Sequence, residues 1–320
     1  MKKNQRQTVP NILLSFAGLL GTEVKGNRVE IPEKFGKGYC AGFVFNEHIR
    51  MLVSNYELNE DLAVSNPDLN PARKMIFFKF QNIFPKAEIV STGRHLTETP
   101  SVLIATSRIN TDEVISIHTN TATVNIEIDA DYLNGLFEVS EKSPVLQSLL
   151  RNTQPLLFEQ IVYPTFQKVV DEIVAEPVGK TFELFFLRVK AEELICRLLM
   201  ELEKRDEKSL YPLNSRDIQS IYKVKEQMLA HLENPPVIRE LAVSAGMSPT
   251  KLKRLFSQIF GNSIFSYYQE FRIKEAARLL KEEKLSVSDA GYRLGFTNLS
   301  HFSRVFEQHV GFKPKRYSTM

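Results

Sequence analysis

At 320 residues, with 43% hydrophobic and 25% charged side chains, the chain has the make-up of a soluble globular protein with room for two ordinary cores; disordered and fibrous classes are excluded. Cys40 and Cys196 stand far apart without ligand spacing, which reads as reduced thiols in a cytoplasmic protein rather than a disulfide frame or a metal site. The net charge of +3 is unevenly placed: residues 216–320 hold 17 Lys and Arg against 10 Asp and Glu, a net +7, and the remainder carries −4, which suits a polyanion-binding module attached to a differently employed domain.

In chain order, "MKKNQRQTVPNILLSFAGLLG" places basic residues before an apolar run that is too short to span a bilayer. Pro10 and Asn11 interrupt it and no small-residue cleavage site follows, so it reads as an ordinary buried segment, and no membrane partner is expected. Residues 25 to about 135 read as β-rich. "TATVNIEID" alternates Val124, Ile126 and Ile128 with polar neighbours, and "KMIFFKF" and "SVLIATS" are short apolar runs between the turn-like segments "NPDLNPARK" and "TETP". These runs predict a small antiparallel barrel or sandwich, cupin-like in outline, over residues 1–143.

From 144 to 204 the period becomes helical. "TFQKVVDEIVAE" is one helix, and "FELFFLRVKAEELICRLLMELEKRD" is a longer one, apolar on more than one side through Phe182, Phe185, Phe186 and Val189, then Ile195, Leu198, Leu199 and Leu202. Its surplus face is either internal core or a homodimer contact. The charged stretch 205–215, with Pro212, is the expected linker to an all-helical domain over 216–320.

That domain repeats a pattern. In "VIRELAVSAGMSPTKLKRLFSQIFG", Leu241 and Ala242 anchor a first helix, Gly246 turns the chain, Met247 plugs the gap, and Ser248 and Pro249 start a second helix. Leu252, Leu255, Phe256 and Ile259 form its buried stripe, opposite Thr250, Arg254 and Ser257 with Lys251, Lys253 and Gln258 beside them. The second unit begins with the capping-box pattern "SVSD", turns at Gly295, plugs with Phe296 and caps with Thr297 or Asn298. Its helix buries Phe302, Val305 and Phe306 and turns Ser300, Ser303, Arg304 and Glu307 outward, with His301 and Gln308 at the edges. The two units, about 237–260 and 286–310, are joined by "SIFSYYQEFRIKEAARLLKEEK", a helix without Pro or Gly whose apolar face is Phe265, Tyr268, Ile273, Ala276, Leu279 and Leu280. Two such units on one rigid helix, held about 34 Å apart, can enter successive major grooves of a DNA duplex.

On "ELAVSAGMSPTKLKRLFSQIFG", "FRIKEAARLL" and "SVSDAGYRLGFTNLSHFSRVFEQHVGFKPKRY", residues 216–318 resemble the DNA-binding domain of the AraC/XylS family of bacterial transcription regulators. The helical stretch "FFLRVKAEELICRLL" is similar to that of the siderophore-sensing members. Two departures stand out. Ala290-Gly291 replaces the usual Ile-Ala, which should loosen that helix by about 1 kcal/mol, and Glu307 stands where a basic residue is common.

The resemblance implies Thr250, Lys251, Arg254 and Ser257 in one groove, with Lys253 and Gln258 at its edge, and Asn298, Ser300, His301, Ser303 and Arg304 in the next. Arg would read guanine, while hydroxyls and Lys hold phosphate. Lys313, Lys315 and Arg316 are further expected phosphate contacts. It also implies that residues 1–204 sense a small-molecule effector or mediate dimerisation, that RNA polymerase is a partner, and that the protein is an activator. The rival readings are a non-specific architectural DNA binder and a regulator whose first domain only dimerises.

No enzyme, cofactor or metal is expected. His48, His95 and His118 lack the His-x-His spacing of a metal-holding cupin. Cys40 stands alone where a methyl-accepting repair protein needs several reactive thiols, and neither a phosphate loop nor a nucleophile elbow is present.

Overall fold

The β-branched and aromatic runs of the first half pair as antiparallel strands of one sheet. The computed structural model describes residues 9–60, 62, 74–83, 100–107, 109, 120–137, 143–175, 178–205 and 210–319. Among them the strands are β1 (Arg28–Glu30), β2 (Gly36–Val44), β3 (Ile49–Leu58), β4 (Met75–Gln81), β5 (Ser101–Thr106), β6 (Asn120–Asp129) and β7 (Leu157–Ile161), in the order β1-β2-β3-β6-β4-β5-β7. β6 is inserted between β3 and β4, so that Ile126 stands opposite both Met51 and Phe78. The turn-like segments 66–73 and 97–99, and with them His95 and His118, lie outside the described residues; His48 stacks on the Tyr132 ring at 4.6 Å.

The period of two decides which face is covered. Ile76, Phe78 and Phe80 on β4, with Val124, Ile126 and Ile128 on β6, point to one side and form a core with four helices: α2 (Ala130–Gly135), α3 (Pro144–Arg151), α4 (Pro164–Ala175) and α5 (Lys180–Glu203). At the β1 end, α1 (Asn11–Leu20) covers the opposite face, burying Leu13, Phe16 and Leu20 against Val29, Cys40 and Leu58. Gly42 admits this helix: a Cβ there would stand 2.7 Å from Pro10. The N-terminal apolar run is therefore a packed helix of the first unit.

Three expectations change. Residues 157–161, read as part of a helical stretch, form β7 and pair with β5, which explains why all six residues of β5 are buried. In α5, Ile195, Leu198, Leu199 and Leu202 are core, but Phe182, Phe185 and Val189 are exposed, as is Met200, so the surplus apolar face is not internal. The stretch expected to be a linker is partly packed: Leu213 is buried and its N–H donates to the Pro155 carbonyl at 2.9 Å.

The chain divides into two units, Met1–Ser215 and Arg216–Met320. The second is all helix: α6 (Ser215–Ala230), α7 (Ile238–Ser244), α8 (Pro249–Phe260), α9 (Ile264–Lys281), α10 (Val287–Arg293), α11 (Leu299–Val310) and α12 (Pro314–Thr319). α9 packs against α8, α10, α11 and α12, and so forms the spine of this unit. Tyr268, Ile273, Ala276, Leu279 and Leu280 are its buried side, whereas Phe265, expected on that side, is exposed.

Candidate nucleic-acid interface

Each repeated unit is a short helix, a glycine turn and a longer helix, and local chemistry sets all three. Gly246 and Gly295 adopt φ +64° and +74°, the left-handed region that glycine enters without steric cost. The longer helices start on side-chain caps: Ser248 Oγ accepts from the Lys251 N–H at 3.2 Å, and Asn298 Oδ1 from the His301 N–H at 3.0 Å. Of the two cap candidates in the second unit, Asn298 is used. Both helices close on left-handed glycines, Gly261 and Gly311.

The apolar stripes face inward as the spacing predicts. Leu252, Leu255, Phe256 and Ile259 of α8 are buried, and so are Phe302, Val305 and Phe306 of α11. Phe296 is a buried plug 4.9 Å from the Phe302 ring, whereas Met247, its counterpart, is only half-buried. Gly291 has a reason its sequence position did not reveal: a Cβ would meet Leu299 at 2.8 Å and Phe302 at 3.2 Å. These contacts are with side-chain atoms, the nearer being the tip of a leucine, so a Cβ there calls for a small repacking of α11 against α10.

Turned outward on α8 are Thr250, Lys253 and Arg254, with Ser257 half-buried. Lys251 is half-buried too, and its Nζ is paired with Asp217 of α6 at 2.8 Å, so it reaches a phosphate only by giving up that partner. Gln258 is a correction. At 2% exposure it belongs to the core and cannot stand at a groove edge, because the turn of helix that brings Ile259 inward carries Gln258 with it.

On α11, Ser300, His301 and Arg304 are exposed and Ser303 is half-buried. Asn298 is exposed, but its Oδ1 is committed to the cap. Lys313, Lys315 and Arg316 are exposed around the start of α12, where the Arg316 guanidinium lies 5.1 Å from the Phe312 ring.

Arg272 is the residue the sequence reading passed over. It is buried on α9, its Nε donates to the Leu294 carbonyl at 2.7 Å, and its guanidinium lies 3.7 Å from the centroid of Phe296. Burial lowers its pKa from the ordinary arginine value, with Tyr268 acting in the opposite sense. The Tyr268 hydroxyl donates to the Leu232 carbonyl at 2.6 Å. Together they tie the loop ahead of α7, the spine helix and the turn of the second unit into one block. The available signal was a basic residue at i and i+4, i+7 spacing from Ala276 and Leu279, on the apolar side of α9.

A charged cluster reinforces the far end of the spine. Arg278 binds Glu275 and Glu283 at 2.7 and 2.8 Å, and Glu283 binds Arg293 of α10 at 2.6 Å. Arg278 and then Arg293 hold the Glu283 carboxyl below its usual range. The capping pair of α10 is present as well: Ser286 Oγ accepts from the Asp289 N–H and donates to Asp289 Oδ2.

Residues 241–320 match the family described as a helix-turn-helix domain. The chain is 36% identical over 85 residues to the HTH-type transcriptional regulator GlxA of Rhizobium meliloti, covering 27% of this chain and 26% of that protein. It is 37% identical over 71 residues to the regulatory protein PchR of Pseudomonas aeruginosa (22% and 24%), and 26% identical over 170 residues to the arabinose operon regulatory protein of Escherichia coli (53% and 56%). The chain thus spans about a quarter of the length of the first two of these relatives and about half of the third. Among solved structures, an AraC-type regulator from Chromobacterium violaceum is similar at 28% identity, covering 33% of this chain and 95% of that one, with a TM-score of 0.31. The AdpA DNA-binding domain in complex with a target DNA is similar at 26% identity, with 31% and 90% coverage and a TM-score of 0.30. With its two capped units, their left-handed glycine turns and the helix that joins them, the C-terminal unit of this chain carries a helix-turn-helix domain similar in sequence to the matching part of these regulators.

Proposed function

We propose that the chain is a sequence-specific, DNA-binding transcription regulator that acts as an activator in the cytoplasm, with a small-molecule effector bound by its first unit. The observation that carries this reading is the pair of half-buried helices on one spine. Each of α8 and α11 spends its apolar stripe on the core and leaves short polar and basic side chains in solvent. Thr250, Lys253 and Arg254 on α8, and Ser300, His301 and Arg304 on α11, are of the size and chemistry that reach base edges and phosphates in a major groove. The net +7 of residues 216–320 supplies the sequence-independent attraction to phosphate. The exposed Phe182, Phe185 and Val189 on α5 support a homodimer as the working form, and activation implies contact with RNA polymerase.

The experiment is selection of duplexes from a random library with the full chain, followed by fluorescence anisotropy on the selected site and its scrambled version. A regulator discriminates by ~10³-fold or more. Arg254→Ala should weaken binding to the selected site and relax preference at one base, since a bidentate Arg contact contributes ~1–3 kcal/mol of discrimination. Equal affinity for selected and scrambled duplexes would refute sequence-specific regulation in favour of architectural binding. Unchanged affinity of Arg254→Ala for both would remove Arg254 from the interface.

A further inference from the structure

We propose that a cleft of about 290 Å³ between the sheet and α4–α5 of the first unit binds a small amphipathic molecule, a flat apolar body carrying an amine or other hydrogen-bond-donating end. This rests on the sensing role proposed above and adds the place and the ligand chemistry. Its floor is one face of β2, where Tyr39, Ala41 and Phe43 follow one another at the strand period. The small Ala41 between two rings leaves space that a larger residue would fill, and Phe186 of α5 lines the cleft from the helix side. The volume is that of about ten waters at ~30 Å³ each, at the small end for ligand pockets.

The polar groups are few and of unequal availability. Arg28 is already neutralised: its Nε binds Glu30 at 2.5 Å, and its guanidinium lies 3.5 Å from the Tyr39 ring centroid. Glu183, half-buried in the first turn of α5, makes no side-chain hydrogen bond or ion pair among the described residues. The spare charge in the cleft is therefore negative. A cationic or donor group beside Glu183, with an apolar ring between Tyr39, Phe43 and Phe186, satisfies both the carboxylate and the aromatic walls. Burial raises the Tyr39 pKa, so its hydroxyl stays neutral and able to hydrogen-bond at physiological pH.

The test is calorimetric titration of the full chain with phenethylamine, and with 3-phenylpropionate as the anionic control of similar size. Phenethylamine should bind saturably, at least tenfold more tightly than 3-phenylpropionate. Glu183→Gln should weaken it at least tenfold, and Val178→Trp, which puts a large ring on the lining, should abolish it. No saturable binding, tighter binding of 3-phenylpropionate, or binding indifferent to both substitutions would overturn the assignment. Should Val178→Trp unfold the unit, the partly exposed Glu183→Gln still decides. Anisotropy on the selected duplex separates the two readings. Intact DNA binding without probe binding defeats the cleft alone, whereas probe binding that leaves DNA affinity and transcription unchanged upholds the cleft and defeats the sensing role.

Discussion

Gly246 and Gly295 occupy equivalent turns, yet substitution should affect them unequally. Both sit at left-handed φ, so an alanine at either pays roughly 1–2 kcal/mol for a conformation that L-residues avoid. At Gly246 that is the whole cost, because a Cβ there meets nothing within 4 Å. At Gly295 the Cβ would lie 2.1 Å from the Glu233 carbonyl oxygen and 2.9 Å from its carbon, so backbone must move by about an ångström. Overpacking of that kind adds about 1–3 kcal/mol, giving ~2–5 kcal/mol for Gly295→Ala. Asparagine separates the causes, since it tolerates the left-handed region but carries the same Cβ. Gly246→Asn should lie within about 1 kcal/mol of the parent, and Gly295→Asn should remain close to Gly295→Ala. The chain has no tryptophan, so thermal unfolding followed by far-ultraviolet circular dichroism of the helices is the suitable readout. At ~4–8 °C per kcal/mol for a unit of about 100 residues, the two alanine variants should be clearly resolved. Equal melting losses for Gly246→Ala and Gly295→Ala, or full rescue of Gly295 by asparagine, would refute the clash.

Two further outcomes follow from buried groups. Arg272→Ala should destabilise the C-terminal unit by roughly 2–4 kcal/mol by leaving the Leu294 carbonyl unpaired and a gap beside Phe296. Arg272→Lys should recover only part of this, because an ammonium lacks the flat guanidinium that stacks on the ring; full recovery in the same melting assay would contradict the stacking argument. Cys40 is buried beside Ser54, and burial pushes its thiol up to about 12, while Cys196 is exposed. Iodoacetamide at pH 8 should therefore label Cys196 and spare Cys40, as peptide mass mapping would show. The sign for stability is fixed by the same shift. Its contribution is intact below the unfolded thiol value of about 9 and is lost as pH rises towards about 12, because only the unfolded chain releases the proton easily. Cys40→Ser should flatten that alkaline loss, and an unchanged profile would rule Cys40 out as its source.

Much of the helix-turn-helix unit is legible in the chain because its determinants are short-range. Ser248, Asn298 and Ser286 act on backbone three residues away, and Gly246, Gly295, Gly261 and Gly311 act through their own φ. The stripes of α8 and α11 need only the 3.6-residue period to be placed. Side-chain burial departs from the expected faces at a few positions. Gln258 flanks the expected exposed face yet is buried, and Phe265 belongs to the expected apolar face of α9 yet is exposed. β7 carried no signal that set it apart from the helices around it, since five residues are too few for periodicity to choose between strand and helix.

The amino-acid order alone determined the existence and inward faces of the paired helix-turn-helix units, together with the charge imbalance between the two parts of the chain. It did so because caps, left-handed glycines and apolar spacing act over a handful of neighbouring residues. Only the tertiary structure decided that Lys251 is held by Asp217, that Arg272 joins the spine to the second turn, and that Tyr39, Phe43, Phe186 and Glu183 border one cleft. Those facts depend on which remote segment arrives against a given face, and burial and pairing energies are set by that arrival rather than by local sequence.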